Sequence, residues 1–235
     1  DYESLDPVVS LDDALADSTL VHEHAGTNVS WKWSTPDFED DPFAACDVTL
    51  EFTLRHPRLN PGPMEPRSGA VYWDAETGRC IQWITSQRPA GAKHIIETSL
   101  GLEPGTVRAI APDVGGGFGS KSGFGCYPED VVLAWASRRV GRPLRWTESR
   151  SEAMLAMGHG RAGTHHVRIG ASKDGKVLAY NVDALQDSGA YPAMGTFTVS
   201  NLRNSGTGVY DIPRARVAGT SLATNTTPTV AFRGA

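Results

Sequence analysis

A cluster of four glycines within nine residues constrains this chain more than any other feature. The segment Asp113-Val-Gly-Gly-Gly-Phe-Gly-Ser-Lys121 follows a predicted strand at residues 107–110. Glycine adopts backbone dihedrals closed to other residues, and it lets backbone N–H groups approach a bound group with no side chain between. The segment therefore predicts either a loop that holds a cofactor or phosphate, or a tight turn that only packs a strand against a helix.

Two nucleotide-binding motifs fit this segment poorly. A phosphate-binding P-loop needs a glycine directly before its lysine, and this chain has Ser120 there. The dinucleotide fingerprint, started at Gly115 and Gly117, would also place its third glycine at Ser120. A nucleotide- or phosphate-binding module stays open as an alternative function, although both spacings count against it.

Composition and charge narrow the classes of partner. The 235 residues carry 22 Lys and Arg against 27 Asp and Glu, a net charge of −5, so no excess of positive charge is available for phosphate backbones or anionic lipid. The chain has no apolar run of about 18 residues and no export signal at its start. The three cysteines are widely spaced and fit neither a disulfide framework nor a zinc site. We expect a cytoplasmic protein with no nucleic-acid partner and no membrane insertion.

Residue periodicity predicts an α+β fold with mixed sheets and packed helices. Residues 1–45 are acidic and loop-rich, with one short helix near Leu11, and are expected to lead in from a preceding domain. Val48, Leu50, Phe52 and Leu54 alternate with polar residues, which predicts a half-buried strand. Further strands are predicted at 70–73, 81–84, 107–110, 144–146, 165–171 and 177–184, the last two joined by an Asp-Gly turn. Helices are predicted at 89–101 and from Pro128 to about residue 140, the second with Val131, Ala134 and Trp135 on a buried face.

Six segments of the chain form one pattern: Ile84-Thr-Ser-Gln87-Arg-Pro89, Gly115-Gly-Gly-Phe-Gly-Ser-Lys121, Gly141-Arg-Pro143, Asp187-Ser-Gly-Ala-Tyr191, Tyr210-Asp-Ile-Pro213 and Val230-Ala-Phe-Arg-Gly234. In this order and approximate spacing they resemble motifs of the molybdenum-binding large subunit of the xanthine oxidase family. That family includes the aldehyde oxidoreductases and the aerobic carbon monoxide dehydrogenases. The resemblance extends over nearly the whole chain.

The resemblance implies an oxidoreductase in which residues 46–235 are the N-terminal portion of a molybdopterin-binding domain. It implies a molybdopterin cofactor, as the cytosine dinucleotide, whose dithiolene holds the molybdenum, with no residue of this chain ligating the metal directly. The protein's role is to position the cofactor and to polarise the reacting groups. The catalytic base is expected in a complementary C-terminal large-subunit chain or segment. An iron–sulfur subunit with [2Fe–2S] and a flavin subunit with FAD are the other expected partners, beside a small-molecule substrate.

The resemblance also implies the site residues. Gln87 matches the glutamine whose amide hydrogen-bonds an oxygen ligand of the metal, and the glycine segment matches a loop whose backbone amides approach the same centre. Arg233 and its neighbours match a second approach through main-chain amides. Gln87, Phe118 and Arg233 are the expected catalytic residues. The expected cofactor-binding residues are Gln87, Gly116, Gly117, Phe118, Gly119, Phe232, Arg233 and Gly234.

Two departures from the family pattern bear on substrate. Purine hydroxylases carry a glutamate after the lysine of the glycine segment, and this chain has Ser122. Copper-type carbon monoxide dehydrogenases carry a cysteine after the arginine of the last motif, and this chain has Gly234. The expected substrate is therefore an aldehyde or an N-heterocycle. A non-catalytic subunit of the same fold stays open as an alternative, with the presence of Gln87, Phe118 and Arg233 against it.

Several other polar residues are expected to be structural. Glu65, in a proline-rich loop, is expected to stabilise a turn. His165 and His166 lie on one predicted strand with side chains on opposite faces, which makes them poor joint metal ligands. Cys126 is expected to be a small buried thiol. The chain starts at Asp1 without methionine and stops inside the arginine motif, so we expect a fragment or a processed chain.

Overall fold

The computed structural model describes residues 2–122 and 127–234, so Cys126 lies outside the described residues. The chain divides into two compact units. The first combines Asp1–Leu59 with His159–Val230, and the second combines Asn60–Gly158 with Ala231–Gly234.

Both units contain helices and strands. The helices are α1 (Leu11–Ala16), α2 (Pro89–Ser99), α3 (Pro128–Val140), α4 (Arg150–Ala156), α5 (Met194–Thr198) and α6 (Asn201–Ser205). The strands are β1 (Val29–Ser34), β2 (Val48–Leu59), β3 (Ser68–Trp73), β4 (Cys80–Ile84), β5 (Val107–Ile110), β6 (Leu144–Thr147), β7 (Gly160–Ala171), β8 (Val177–Gly189) and β9 (Arg214–Ala223). No helix within the described ranges is long and apolar enough to span a membrane.

The first unit contains a five-stranded sheet with the order β1-β9-β8-β7-β2. Strands β8 and β9 are parallel, and the other neighbours are antiparallel. Val167, Val182 and Val217 stand opposite one another on three adjacent strands and form a buried cluster. The predicted Asp-Gly turn joins β7 to β8, with Gly175 at a φ of 87° that suits glycine. Strand β1 lies within the segment predicted to be loop-rich.

The expectation that β2 is half-buried is wrong. Its apolar residues Val48, Leu50, Phe52 and Leu54 are 53%, 59%, 41% and 45% exposed. Strand β2 lies at the edge of the sheet, while α5 and α6 contact β8 and β9. Alternation identifies a strand, but burial depends on what packs against it, which a local pattern cannot specify.

The second unit contains a four-stranded sheet with the order β5-β4-β3-β6, in which only the β4–β5 pair is parallel among the described strands. Helices α2 and α3 pack on this sheet. Its core includes Val71 from β3, Ile84 from β4, Ile96 from α2 and Ala134 from α3. Both units combine a mixed sheet with helices, which confirms the α+β fold class.

Helix α3 begins at Pro128 as predicted and ends at Val140, and it is capped by Gly141, which has a φ of 65°. Its buried face differs from the prediction, because Trp135 is 56% exposed. The buried residues of α3 are Leu133, Ala134 and Ser137. The buried face is therefore rotated from the predicted one, although Val131 is partly buried against the core.

Candidate functional site

The glycine segment forms a loop in the second unit, between β5 and a single 3₁₀ turn at Ser120–Ser122. Gly116 and Gly119 have φ values of 98° and 99°, in the left-handed region that glycine tolerates. Phe118 has a φ of 52°, which is unusual for an aromatic residue and costs about 1–2 kcal/mol. Such strain persists only where neighbouring structure enforces it, and it is concentrated at functional sites.

Gln87 follows β4 and lies directly against this loop. Its backbone N–H donates to the Lys121 carbonyl oxygen over 3.1 Å, and its side-chain Oε1 accepts from the Gly119 N–H over 2.9 Å. A Cβ atom at Gly117 would lie 2.4 Å from Gln87 Oε1. The loop therefore requires glycine at position 117 to admit the glutamine amide.

Three hydrogen-bond donors around this contact have no partner among the described residues. A peptide N–H can only donate, so the Gly119 N–H fixes the oxygen of the Gln87 amide and leaves its Nε2 as a donor. In the part of the chain that the structure describes, neither Gln87 Nε2 nor the N–H of Gly117 or Phe118 has a hydrogen-bond partner. Gln87 and Phe118 are exposed. This donor set suits a ligand rich in oxygen or sulfur acceptors, as the molybdopterin cofactor is.

Residues 231–234 contact the same loop. The Arg233 N–H donates to the Phe118 carbonyl oxygen over 2.9 Å, and the guanidinium carbon lies 4.8 Å from the centroid of the Phe118 ring. A Cβ atom at Gly119 would lie 2.4 Å from the Ala231 carbonyl oxygen. The glutamine, the glycine loop and the arginine segment, predicted from separate motifs, thus meet in one place.

Two main-chain amides of the arginine segment, those of Phe232 and Arg233, are hydrogen-bonded within the protein. The Arg233 N–H bonds Phe118, and the Phe232 N–H donates to the Gly234 carbonyl oxygen over 3.0 Å. Arg233 itself has a φ of 52° and is exposed. These bonds close a turn against the loop. Arg233 adds its positive charge beside Phe118.

Glu65 and Lys121 brace the glycine loop. The Glu65 carboxylate accepts from the Gly115 N–H over 2.7 Å, and the Lys121 ammonium donates to the same carboxylate over 2.9 Å. This agrees with the structural role expected for Glu65. Lys121 is 2% exposed and is held by Glu65, so it is not presented to a ligand as the lysine of a phosphate-binding loop is.

Sequence reasoning missed the residues that support the end of this loop. The Tyr127 hydroxyl donates to the Ser120 carbonyl oxygen over 2.7 Å and accepts from the Gly158 N–H over 3.1 Å. Burial raises the pKa of Tyr127. The Arg67 guanidinium lies 4.0 Å from the Tyr127 ring centroid and pairs with Glu148, whose side chain is fully buried. No local signal in the sequence indicates these long-range contacts.

The histidines predicted to be structural lie in the first unit. The His165 ring is 4.6 Å from the ring of His56, and the pKa of His165 is lowered by burial and by the charge of His56. His166 Nδ1 lies 3.0 Å from Thr53 Oγ1. Within residues 2–122 and 127–234, no three His, Cys, Asp or Glu side chains form a group that could hold a metal ion.

Residues 21–235 match the family model described as the molybdopterin cofactor-binding domain. The chain is 33% identical over 214 residues to the carbon monoxide dehydrogenase large chain of Hydrogenophaga pseudoflava, covering 90% of this chain and 26% of that protein. It is 32% identical over 200 residues to the nicotine 6-hydroxylase large subunit of Paenarthrobacter nicotinovorans, covering 83% of this chain and 24% of that protein. The chain thus spans about a quarter of the length of these relatives.

The fold is also similar to that of solved structures. Quinoline 2-oxidoreductase from Pseudomonas putida 86 superposes with a TM-score of 0.91 at 27% sequence identity. The superposition covers 99% of this chain and 30% of the quinoline enzyme chain. Sequence and structure therefore agree on the same family.

Proposed function

Because the chain belongs to the xanthine oxidase family, as an N-terminal part of a molybdenum-binding large subunit, we propose that it forms one side of the cofactor site of a molybdenum hydroxylase. The enzyme oxidises an aldehyde or an N-heterocycle with oxygen derived from water. One observation carries the proposal most directly. Within the described residues, three donors without a partner lie together: Gln87 Nε2 and the N–H groups of Gly117 and Phe118, on a glycine loop to which Gln87 is hydrogen-bonded.

When bound, molybdopterin would supply molybdenum as the two-electron acceptor. The residues of this chain bind the cofactor and polarise its ligands. Gln87 offers a neutral donor, which stays a donor at every pH at which the protein is folded, and the Gly119 N–H holds that amide in one orientation. The N–H groups of Gly117 and Phe118 offer two further donors, which need no reorganisation when a ligand binds.

The remaining predicted site residues are proposed to shape the same surface. Gly116 and Gly119 give the loop its left-handed turns, and Phe232, Arg233 and Gly234 form the turn packed against it. Arg233 places a cation beside Phe118. The lead-in at 1–45 and the cofactor-binding region at 46–235 are retained as the proposed functional division.

An aldehyde or N-heterocycle is the proposed substrate class. The Ser122 hydroxyl donates to the Gly119 carbonyl oxygen over 2.7 Å, so this position braces the loop and offers no carboxylate to a purine. Gly234 has no side chain that binds copper. Two similar proteins are named for N-heterocycles, nicotine and quinoline, which supports this class.

The complete enzyme is proposed to need further chains or segments. The relatives are called large chains or large subunits and are about three and a half times as long as this chain. We propose that a C-terminal large-subunit chain or segment supplies the catalytic base and contacts a cytosine dinucleotide form of the cofactor. An iron–sulfur subunit with [2Fe–2S] and a flavin subunit with FAD carry the electrons away.

The two alternative functions are less well supported. A nucleotide-binding module would need a lysine presented to phosphate, and Lys121 is buried against Glu65. A non-catalytic subunit would not need a free donor at Gln87 beside two free loop amides.

Product analysis in water labelled with heavy oxygen tests the proposed reaction. The assembly that contains this chain is supplied with an aromatic aldehyde, an N-heterocycle, xanthine or carbon monoxide and an artificial electron acceptor. We expect the aldehyde or the N-heterocycle to be oxidised and to carry oxygen from water. Turnover of xanthine or carbon monoxide alone would contradict the substrate class, and label derived from molecular oxygen would contradict the reaction.

A further inference from the structure

The side chain of Glu65 connects the two ends of the glycine loop. At the start of the loop, its Oε2 accepts from the Gly115 N–H over 2.7 Å, and its backbone N–H donates to the Gly115 carbonyl oxygen over 3.2 Å. At the end of the loop, Lys121 Nζ donates to Glu65 Oε2 over 2.9 Å and to the Glu65 carbonyl oxygen over 2.8 Å. One carboxylate oxygen is therefore shared by residues on both sides of the free amides.

Packing around this ion pair is close. The Lys121 side chain is fully buried, and that of Glu65 is 32% exposed. A Cβ atom at Gly115 would lie 2.6 Å from the Cβ of Glu65, so the loop backbone rests directly on this residue. A buried ammonium is stable only with a charged partner and satisfied hydrogen bonds, which makes this pair a rigid support.

The same support reaches Gln87. The Lys121 carbonyl oxygen accepts from the Gln87 N–H over 3.1 Å and from the Ser86 hydroxyl over 3.4 Å. Lys121 thus holds the loop through its side chain and the glutamine segment through its backbone. The relative position of the Gln87 amide and the Gly117 and Phe118 amides depends on where Lys121 is anchored.

We propose that Glu65 and Lys121 form a positioning ion pair that holds the free donors of the loop and of Gln87 in the arrangement needed to bind the cofactor. The inference rests on the proposed function for the identity of the ligand, but the support of the loop can be measured without it. Neither residue touches the ligand in this account, and both act through the backbone of residues 115–121.

Substitutions that keep the shape of each side chain but remove its charge distinguish positioning of the loop from stability of the fold. Glu65→Gln keeps an acceptor for the Gly115 N–H and removes the charge, whereas Lys121→Met keeps the length of the side chain and removes the ammonium. Each single change leaves a buried or half-buried group without its partner and lowers the Tm. The double variant removes both charges, and we expect most of the Tm to return, because a buried pair replaced as a whole is often neutral for stability. Glu103→Gln in the same unit and Lys173→Met in the first unit, both at exposed positions, are the matched controls.

Hydrogen–deuterium exchange of residues 113–122 is the first readout, measured on the purified assembly. We expect exchange about tenfold faster in the two single variants and in the double variant, with no change in the controls. The second readout is the molybdopterin content and the Mo(V) electron paramagnetic resonance spectrum of the same samples. A changed spectrum or a lower content is expected even in the double variant with its recovered Tm.

The outcomes decide whether the Glu65–Lys121 pair positions the loop or only stabilises the fold. Unchanged exchange in the single variants overturns the inference, whatever the cofactor content. Recovery of exchange, spectrum and content together with Tm in the double variant also overturns it, because the pair would then contribute stability alone. A wild-type assembly without molybdenum would overturn the proposed function instead, and the exchange data would still show whether the pair holds the loop.

Discussion

The orientation of one side-chain amide determines what Gln87 can contribute. Its oxygen is occupied by the Gly119 N–H, so only the NH₂ group is available to a ligand. A glutamate at this position would keep the acceptor and lose the donor. The hydrogen bond that Gln87 donates to a ligand can therefore be tested separately from the packing of its side chain.

Gln87→Ala and Gln87→Glu are both expected to reduce turnover about 10- to 100-fold, since each removes the donated hydrogen bond. Gln87→Glu keeps the bond to Gly119, and the exposed side chain contributes little to the core, so the Tm of either variant should stay near that of wild type. Steady-state kinetics and thermal unfolding measure the two effects. Full activity of Gln87→Glu would show that donation plays no part.

Burial and a neighbouring imidazole both lower the pKa of His165. A histidine whose folded pKa lies below its ordinary value of 6.5 opposes protonation in the folded state, so stability is lost as the pH falls through 6.5. His56→Gln removes the neighbouring imidazole and leaves His165 buried. The pKa of His165 should rise and stay below 6.5, as measured by a nuclear magnetic resonance titration. His166→Gln, on the opposite face of β7, is the control, and an equal rise in that variant would contradict the pairing.

At the scale of elements, the loop depends on contacts that only glycine allows. Gly119 and Gly105 have nearly the same φ, 99° and 95°, but different surroundings. A Cβ atom at Gly119 would lie 2.4 Å from the Ala231 carbonyl oxygen, whereas a Cβ atom at Gly105 would have no atom within 4 Å. The two positions form a matched pair in which backbone strain is equal and steric contact differs.

Gly119→Ala is expected to displace the arginine segment and to abolish cofactor retention. The added methyl group would clash with the carbonyl oxygen and carbon of Ala231, which are backbone atoms and cannot rotate away as a side chain can. Gly105→Ala is expected to cost about 1 kcal/mol of stability from the left-handed strain alone, with the cofactor retained. Molybdenum content and Tm of the two variants provide the comparison. Equal cofactor content in both would contradict the close contact with Ala231.

The thiol of Cys80 is buried in β4, and burial raises its pKa to about 11. We expect Cys80 to resist alkylation at pH 8 in the folded protein, because little thiolate forms and the sulfur is not accessible. Cys46 is partly exposed and should react first. Peptide mapping after a short iodoacetamide treatment measures both, and modification of Cys80 at the rate of Cys46 would show that β4 opens readily.

Sequence patterns predicted elements better than they predicted burial. The Asp-Gly turn and the start of α3 at Pro128 follow from local backbone chemistry, which sequence records directly. The exposure of Phe52 and Trp135 depends on which elements pack against them in three dimensions. The periodicity of apolar residues along the sequence does not contain that information. Helices α4, α5 and α6 are short, and their sequences carry no long apolar period, so they were not predicted.

At the scale of the whole molecule, the motif identities predicted which segments would meet. Gln87, the glycine loop and Arg233 are distant in sequence and adjacent in the second unit. The resemblance to the family indicated that proximity. It did not indicate the Glu65–Lys121 pair, which joins a proline-rich loop to the end of the glycine segment and has no local signature.

The family assignment applies to the chain, and the activity is proposed to belong to a larger assembly. The chain spans about a quarter of relatives that are themselves called large chains or subunits. The loop is proposed to supply donors on one side of the cofactor. The catalytic base and the electron carriers are proposed to come from other segments.

Metal and pterin analysis of the purified assembly, with the intact mass of every chain, tests the central claim most directly. The account predicts about one molybdenum and one molybdopterin per copy of this chain, together with a further polypeptide or segment that completes the large subunit. It also predicts that Gly119→Ala lowers both contents while Gly105→Ala does not. An assembly with no molybdenum, or with equal molybdenum in both variants, would contradict it.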